Sequence, residues 1–200
     1  MVALIVSVSF LALATGLFRE HLLPRRRARR ARATLVESLG AELGTVPVET
    51  KDGTTLLRGS FNDYAVDIDI SNRGCAIVRV NLSPSAIPHD LRIYETSSWS
   101  YQKMENRILG LTVDTGDLEF DAEFDVYGVD AEAATRLPVR TRRTLVAHRR
   151  RGLMICDGVL MLGSGAATPH FYLSNHPDTR ETVLEMLEAA TTLASALERA

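Results

Sequence analysis

The N-terminal segment most constrains what this chain can fold into, because its first 18 residues contain no charged side chain. The run from Val2 to Phe18 includes only a few small polar residues and one glycine. With a rise of about 1.5 Å per residue, a helix of this length is near the short limit for crossing a hydrocarbon core about 30 Å thick. Leu22 and Leu23 extend it if Arg19 and Glu20 lie at the membrane interface, and no polar face interrupts the run, as one would in a soluble helix. We therefore predict a transmembrane anchor over residues 1–23.

A cleaved signal peptide is the alternative for the same segment, since it also contains a long apolar stretch. A signal peptide begins with basic residues, whereas here the basic residues follow the apolar run. Loops that carry an excess of arginine and lysine stay on the cytoplasmic side of a membrane. The sequence therefore predicts a retained single-pass anchor with its C-terminal side in the cytoplasm. Six arginines form this basic cluster: Arg25, Arg26, Arg27, Arg29, Arg30 and Arg32.

Charge is distributed unevenly along the chain, and this limits the choice of partners. Residues 1–32 contain seven arginines and one glutamate, whereas the rest contains 16 basic and 24 acidic residues. Because phosphate neutralisation supplies most nucleic-acid affinity, the acidic domain is not expected to bind nucleic acid. The basic cluster is interpreted as an orientation signal, and alternatively as a site for anionic lipid headgroups, each basic residue contributing about 1 kcal/mol. The predicted partners are the lipid bilayer, anionic headgroups and a protein.

Beyond the anchor, hydrophobic periodicity predicts two segments. Residues 24–44 form a basic juxtamembrane segment and a stalk helix, with Leu35, Leu39 and Leu43 on one stripe. Residues 45–200 form an α+β domain with an antiparallel sheet of about six to eight strands and packed helices. The expected elements are strands at 54–60, 64–70, 75–82 and 91–95, a helical region at 131–151, a hairpin at Asp157-Gly158, and a long C-terminal helix capped by Asp178 and Glu181.

The stretch 116–126 alternates acidic and apolar residues, a pattern typical of a half-buried strand. Its carboxylates suggest a site for a hard metal ion or for glycoside hydrolysis, with Asp117, Asp121 and Asp125 as the catalytic or binding candidates. Residues at i, i+2 and i+4 of a strand are spread over about 13 Å, which is too far apart for one ion to gather. We therefore interpret the stretch as a solvated strand face opposite arginines of the 140–151 helix, with the metal or glycosidase site as the alternative.

No other motif predicts an assembled catalytic or metal site. The five histidines lack metal-ligand spacing, and Gly163-Ser164-Gly165 is neither a nucleophile elbow nor a phosphate loop. Cys75 and Cys156 lie among apolar neighbours, where an inert thiol is expected. We predict no catalytic residue, cofactor or metal.

Two groups of residues are candidates for binding a partner. Trp99 lies between Tyr94 and Tyr101 in a serine-rich segment, and such aromatic residues are enriched at interface hot spots. The alternative is a loop that packs over the sheet. Arg140 and Arg143 belong to a strongly basic helical segment, which can bind an acidic partner or the acidic stretch of the same chain.

Part of the chain, residues 33–163, resembles uncharacterised bacterial membrane-anchored proteins. The resemblance is carried by Thr115-Gly116-Asp117, Phe120-Asp121, Phe124, Val126 and Gly128, by Leu56–Ser60 upstream, and by the hairpin at Asp157-Gly158. It implies an anchored domain and no established activity. From the anchor, the compact domain and the lack of an assembled catalytic constellation, we expect a cytosolic binding or interaction domain tethered to the bacterial inner membrane. The alternatives are a membrane-associated enzyme that uses the acidic strand 117–125 and a sensor of anionic lipid surfaces.

Overall fold

The computed structural model describes residues 23–72, 74–83, 86–88, 90–96, 112–128, 136–149, 152–163 and 178–200, with side chains from residue 28 onward. This part of the chain is α+β, as predicted, with four helices and one antiparallel sheet. The sheet has nine strands, more than the six to eight expected, because the edge strands Val48–Glu49 and Thr112–Val113 are too short to show an alternating pattern. In chain order the elements are α1 (Leu23–Leu43), β1 (Val48–Glu49), β2 (Thr55–Phe61), β3 (Tyr64–Ile70), β4 (Ala76–Asn81), β5 (Arg92–Glu95), β6 (Thr112–Val113), α2 (Leu118–Glu123), β7 (Phe124–Tyr127), α3 (Val139–Ala147), β8 (Leu153–Cys156), β9 (Val159–Gly163) and α4 (Arg180–Glu198).

The sheet has the strand order β1-β2-β3-β4-β9-β8-β5-β7-β6. Its centre is built from buried residues that face one another across strands. Leu57 pairs with Ile68, Ile68 pairs with Val78, and Val78 pairs with Leu162. Because side chains alternate between the two faces of a strand, this register gathers one apolar row on the same side of the sheet.

Helices α1 and α4 contribute to the core that contains this row. Leu35, Leu39 and Leu43 of α1 are buried, as the predicted stripe requires. The long C-terminal helix α4 is confirmed, and it presents seven buried residues to the core: Val183, Leu187, Ala190, Thr191, Leu193, Ala194 and Leu197.

The predicted hairpin is confirmed, and the predicted cap of α4 is wrong by one residue. Asp157 and Gly158 both adopt positive φ angles, 52° and 74°, as a two-residue turn between β8 and β9 requires. At α4, the N-cap is Thr179, whose side chain accepts a hydrogen bond from the Thr182 amide. Asp178 instead accepts from the Ala76 amide at 2.6 Å, so it fastens the start of the helix to β4.

The acidic stretch does not form the predicted strand. Residues Leu118–Glu123 are helical, and only Phe124–Tyr127 is extended. Leu118, which was expected in the core, is 87% exposed. The helix forms because Asp117 caps its N-terminus, where the acidic side chains of the first turn are also favourable. Of the expected helical region at 131–151, the structure describes residues 136–149. Among these, Val139–Ala147 forms α3, which Pro138 directly precedes.

The predicted anchor at residues 1–23 lies outside the described residues except for Leu23. Among the helices that the structure describes, none is long and apolar enough to cross a membrane. The described part of helix α1 runs without interruption from Leu23 to Leu43, and Gly44, with a φ of 61°, ends the helix. The basic segment and the predicted stalk are therefore one helix.

Candidate functional site: a groove beside the basic helix

The arginines of α1 have different environments. Arg29 and Arg30 are exposed to solvent. Arg32, by contrast, is tied to the β1–β2 turn: its guanidinium donates to the Gly53 carbonyl at 2.9 Å and to the Thr55 hydroxyl, and lies 3.5 Å from Glu49. Its side chain is 16% exposed. Arg32 therefore holds α1 against the sheet edge, whereas Arg29 and Arg30 are accessible to a partner. The side chains of Arg25, Arg26 and Arg27 lie outside the described part.

An open groove of about 500 Å³ lies between α1 and the β1 edge of the sheet. Four residues of one helix face line it, spaced at i, i+3, i+4 and i+7. The segment around β1 supplies the opposite wall. The lining residues are Arg29, Arg32, Ala33 and Val36 from the helix, and Pro47, Glu49 and Thr55 from the sheet side.

The opposite wall of the groove belongs to an edge strand with apolar neighbours. Val46 and Val48, which flank Pro47, are 80% and 59% exposed. The Glu49 carboxylate is 69% exposed and is the acidic group in the described lining. The groove therefore combines a cation, an oxygen acceptor and apolar surface, which is a combination suited to binding an amphiphilic or polyhydroxylated anion.

Asp117 has a structural role at the start of α2. Its Oδ1 accepts from the Phe120 amide at 3.3 Å, and its Oδ2 accepts from Arg142 Nε at 3.1 Å. Arg142 also donates to the Leu137 carbonyl at 2.9 Å, which joins α2 to the start of α3. The hydrogen bond from the Phe120 amide, followed by that from Arg142, lowers the pKa of Asp117. The carboxylate is thus ionised and engaged.

Asp121 lies one helical turn after Asp117 and has a different environment. Its Oδ1 accepts from the Thr115 hydroxyl at 2.7 Å and from the Thr115 amide at 3.3 Å. Burial raises the pKa of Asp121, and the nearby carboxylate of Asp114 adds to that shift. These contacts close the Thr115-Gly116-Asp117 turn, in which Gly116 adopts a φ of 72°. The motif that carries the family resemblance is therefore a helix-capping turn.

Asp125 is separated from the other two aspartates by the change from helix to strand. It lies in β7, pairs with Tyr94 of β5, and is 8% exposed. The predicted row Asp117, Asp121 and Asp125 therefore does not form on one strand face. The structure brings Asp117 and Asp121 together through the α2 turn and leaves Asp125 within the sheet.

The predicted contact between acidic and arginine-rich segments is present, but through different arginines from those singled out. Arg142 binds Asp117, and Arg149 forms an ion pair with Glu123. Arg140 and Arg143 are exposed on α3 and remain candidates for a partner. Trp99 lies outside the described residues.

The described residues include both cysteines and a cavity lined by histidine and glutamate. No group of three or more His, Cys, Asp or Glu residues there is arranged to hold a metal ion. A cavity of about 290 Å³ is lined by His148, Glu185 and Glu188. Neither cysteine forms a disulfide there: Cys75 is buried, and burial raises the pKa of the Cys156 thiol.

Sequence reasoning missed the far wall of the groove and the role of Arg142. Pro47, Glu49 and Thr55 carry no motif, and only the fold brings them opposite α1. A signal for the α2 turn was present in the sequence, because Asp117 followed by Glu119 and Asp121 is a helix N-terminus pattern.

Fold and site together define an α+β domain with a basic N-terminal helix that forms one wall of a groove. No protein-family model matches the chain, and no curated protein matches it. Among solved structures, the chain is similar to the crystal structure of the mycobacterial trehalose monomycolate transport factor A, TtfA. The identity is 11% and the TM-score 0.45, over 86% of this chain and 95% of that chain. A similarity of this degree carries no inference about function.

Proposed function

We propose that this chain is a single-pass protein of the bacterial inner membrane whose α+β domain binds a partner at the cytoplasmic surface. The observation that carries the proposal is the continuity of α1. From Leu23 onward, one uninterrupted helix carries Arg29 and Arg30 on its surface and buries Leu35 and Leu39 in the core. Because this helix packs on the core, it would hold the domain at a fixed distance from the apolar segment, without a flexible linker between them.

The charges on this helix support the cytoplasmic orientation. Arginines that directly follow an apolar segment favour the cytoplasmic side. Exposed arginines continue along α1 as far as Arg30. Arg32 is the next arginine, and its side chain is instead hydrogen-bonded to Gly53 within the domain. The anchor and its basic flank are sequence features, and the groove beside them supplies a binding surface near the membrane.

An enzyme built on the acidic segment is less well supported. Asp117 and Asp121 are engaged in the turn that caps α2, and Asp125 is largely buried in β7. A general acid or base needs access to a substrate within hydrogen-bond distance. Binding therefore accounts for more of the geometry than catalysis does.

The tether is tested by introducing charge into the apolar run. The double substitution Leu11→Arg/Leu13→Arg costs about 2.5–3.5 kcal/mol per arginine for membrane insertion. We expect the full-length wild-type chain to float with membranes in a density gradient after alkaline extraction, and the variant to stay at the bottom. The control Thr34→Arg/Ala41→Arg adds the same charge at exposed positions of α1 and should float. A wild-type chain that does not float, or a double variant that floats, would contradict the tether.

A further inference from the structure

Within its described lining, the groove beside α1 has one accessible cation, at the end nearest to Leu23. Of its two arginines, Arg32 is engaged by Gly53, Thr55 and Glu49, whereas Arg29 is exposed. Arg29 lies one helical turn closer to Leu23 than Arg32 does. In the described lining, the positive charge available to a ligand is therefore at the end of the groove nearest to Leu23.

This end of the groove lies within reach of lipid headgroups if the apolar segment ends at Leu23. With a rise of about 1.5 Å per residue, Arg29 is about 9 Å along the helix from Leu23, and Val36 is about 20 Å along it. Each polar layer of a bilayer is about 5–7 Å thick, and a tilt of the helix of about 20° brings the groove closer still. Of the described residues that line the groove, Arg29 lies nearest to such a headgroup.

The remaining lining selects among anionic headgroups. Beyond Arg29, the groove presents the exposed Glu49 carboxylate and the apolar surfaces of Ala33, Val36 and Pro47. A carboxylate repels a second phosphate charge but accepts hydrogen bonds from hydroxyl groups. The C–H surface of a sugar-like ring or chain packs well against small apolar side chains.

We propose that this groove binds the polyhydroxylated headgroup of an anionic phospholipid from the membrane in which the chain is anchored. Arg29 binds the phosphodiester, Glu49 accepts hydrogen bonds from headgroup hydroxyls, and the apolar wall contacts the carbon skeleton. This assignment rests on the proposed membrane tether. The headgroup occupies the groove itself, unlike a diffuse layer of anionic lipid, which would surround a basic helix without entering a specific site.

The test uses the full-length chain in phosphatidylcholine nanodiscs that contain a small fraction of phosphatidylinositol or of phosphatidic acid. Retained lipid is measured by native mass spectrometry after transfer to mild detergent. The buffer contains about 0.5 M salt, which shortens the screening length to about 4–5 Å and removes diffuse attraction. We expect the wild-type chain to retain phosphatidylinositol at least fivefold more than phosphatidic acid.

Two neighbouring arginines provide a matched pair of variants. Arg29→Gln removes the cation of the groove and should lower retention of phosphatidylinositol about tenfold, the loss expected for one charge-assisted contact. Arg30→Gln removes the same charge about 100° around the helix, outside the groove lining, and should change retention by less than twofold. Both positions are exposed, so neither change is expected to disturb the fold.

The outcomes separate the headgroup site from the tether. Entry of the chain into nanodiscs is scored first, by co-elution with lipid, and failure at this step would contradict the tether. A chain that enters nanodiscs but retains both lipids equally, or loses them equally in the two variants, would overturn the headgroup site alone. Selective retention that is lost only in Arg29→Gln would support it.

Discussion

At the scale of single residues, Asp117 joins three parts of the chain: the turn before α2, the first turn of α2, and Arg142 of α3. Asp117→Ala removes the helix cap and the ion pair together, and Asp117→Asn retains an acceptor for the cap. We expect the melting temperature of the full chain in detergent to fall by about 2–4 °C in the alanine variant and by less in the asparagine variant.

The dependence of this effect on pH follows from the sign of the pKa shift. The folded state lowers the pKa of Asp117 below its ordinary 3.8, so its stabilising effect is present above that value and disappears as the pH falls through the folded-state pKa. The difference in melting temperature between wild type and Asp117→Asn should therefore vanish once the pH is below the folded-state pKa of Asp117. A difference that stays constant down to that end would contradict this account of the Arg142 pair.

Asp121 should behave in the opposite way. Burial raises its pKa above 3.8, so the folded state favours the protonated form, and the stability from this group is lost as the pH rises through the folded-state pKa. Asp121→Asn keeps an oxygen that can accept from Thr115 but carries no charge. We expect this variant to melt about 1–3 °C higher than wild type at pH 7 and at the same temperature near pH 3. If Asp121→Asn instead melted below wild type by the same amount at pH 7 and near pH 3, the asparagine side chain would have broken the contacts with Thr115, and the account of the raised pKa would be contradicted.

At the residue scale, the sequence indicates which side chains are charged, but not which of them are accessible to a binding partner. Arg29, Arg30 and Arg32 are equivalent in sequence, and they differ only because Gly53 and Thr55 come within hydrogen-bond distance of Arg32. That proximity depends on the path of the chain from α1 through β1 to β2, which no local pattern encodes.

At the scale of elements, the contact of α1 with β2 depends on the absence of a side chain at Gly59. A Cβ there would lie 2.9 Å from the Leu43 Cβ and 3.0 Å from the Leu43 carbonyl oxygen, so the helix or the strand would have to move. We expect Gly59→Ala to lower the free energy of unfolding by about 1–3 kcal/mol, as other overpacked sites do. The measurement is urea unfolding followed by circular dichroism.

The control for this variant is Ser60→Ala, which lies on the same strand at an exposed position. Its effect should stay within about 0.5 kcal/mol, as for most surface changes. A destabilisation of similar size in both variants would mean that β2 tolerates no substitution at this end. It would then provide no support for a close contact with α1.

Elements whose apolar residues follow one clear period are predicted well. Residues 116–126, whose apolar residues fit both a strand and a helix, are not. β3 alternates strictly and buries Val66, Ile68 and Ile70, as expected. In residues 116–126 an alternating pattern competes with a helix signal, since Phe120 and Phe124 are also spaced at i and i+4. Their rings stack at 5.1 Å across the junction of α2 and β7. The Asp117 cap favours the helix over the first half of the stretch, and pairing with β5 favours the strand over the second.

At the scale of the whole molecule, the α+β class with a large antiparallel sheet and a long C-terminal helix was predictable, because it follows from the succession of short alternating segments. The strand order was not, since β4 pairs with β9 and β5 lies between β7 and β8. These pairings join segments that are far apart in sequence, so local periodicity does not determine them.

The most direct measurement of the central claim, a domain tethered at the cytoplasmic surface, is the topology of the full-length chain. A fluorescent protein that matures only in the cytoplasm and a phosphatase active only outside it are fused separately to Ala200. The account predicts fluorescence without phosphatase activity, because the arginines after the apolar run keep the C-terminal side of the chain in the cytoplasm. Phosphatase activity without fluorescence would contradict it, and would place the groove and the domain on the outer side of the membrane.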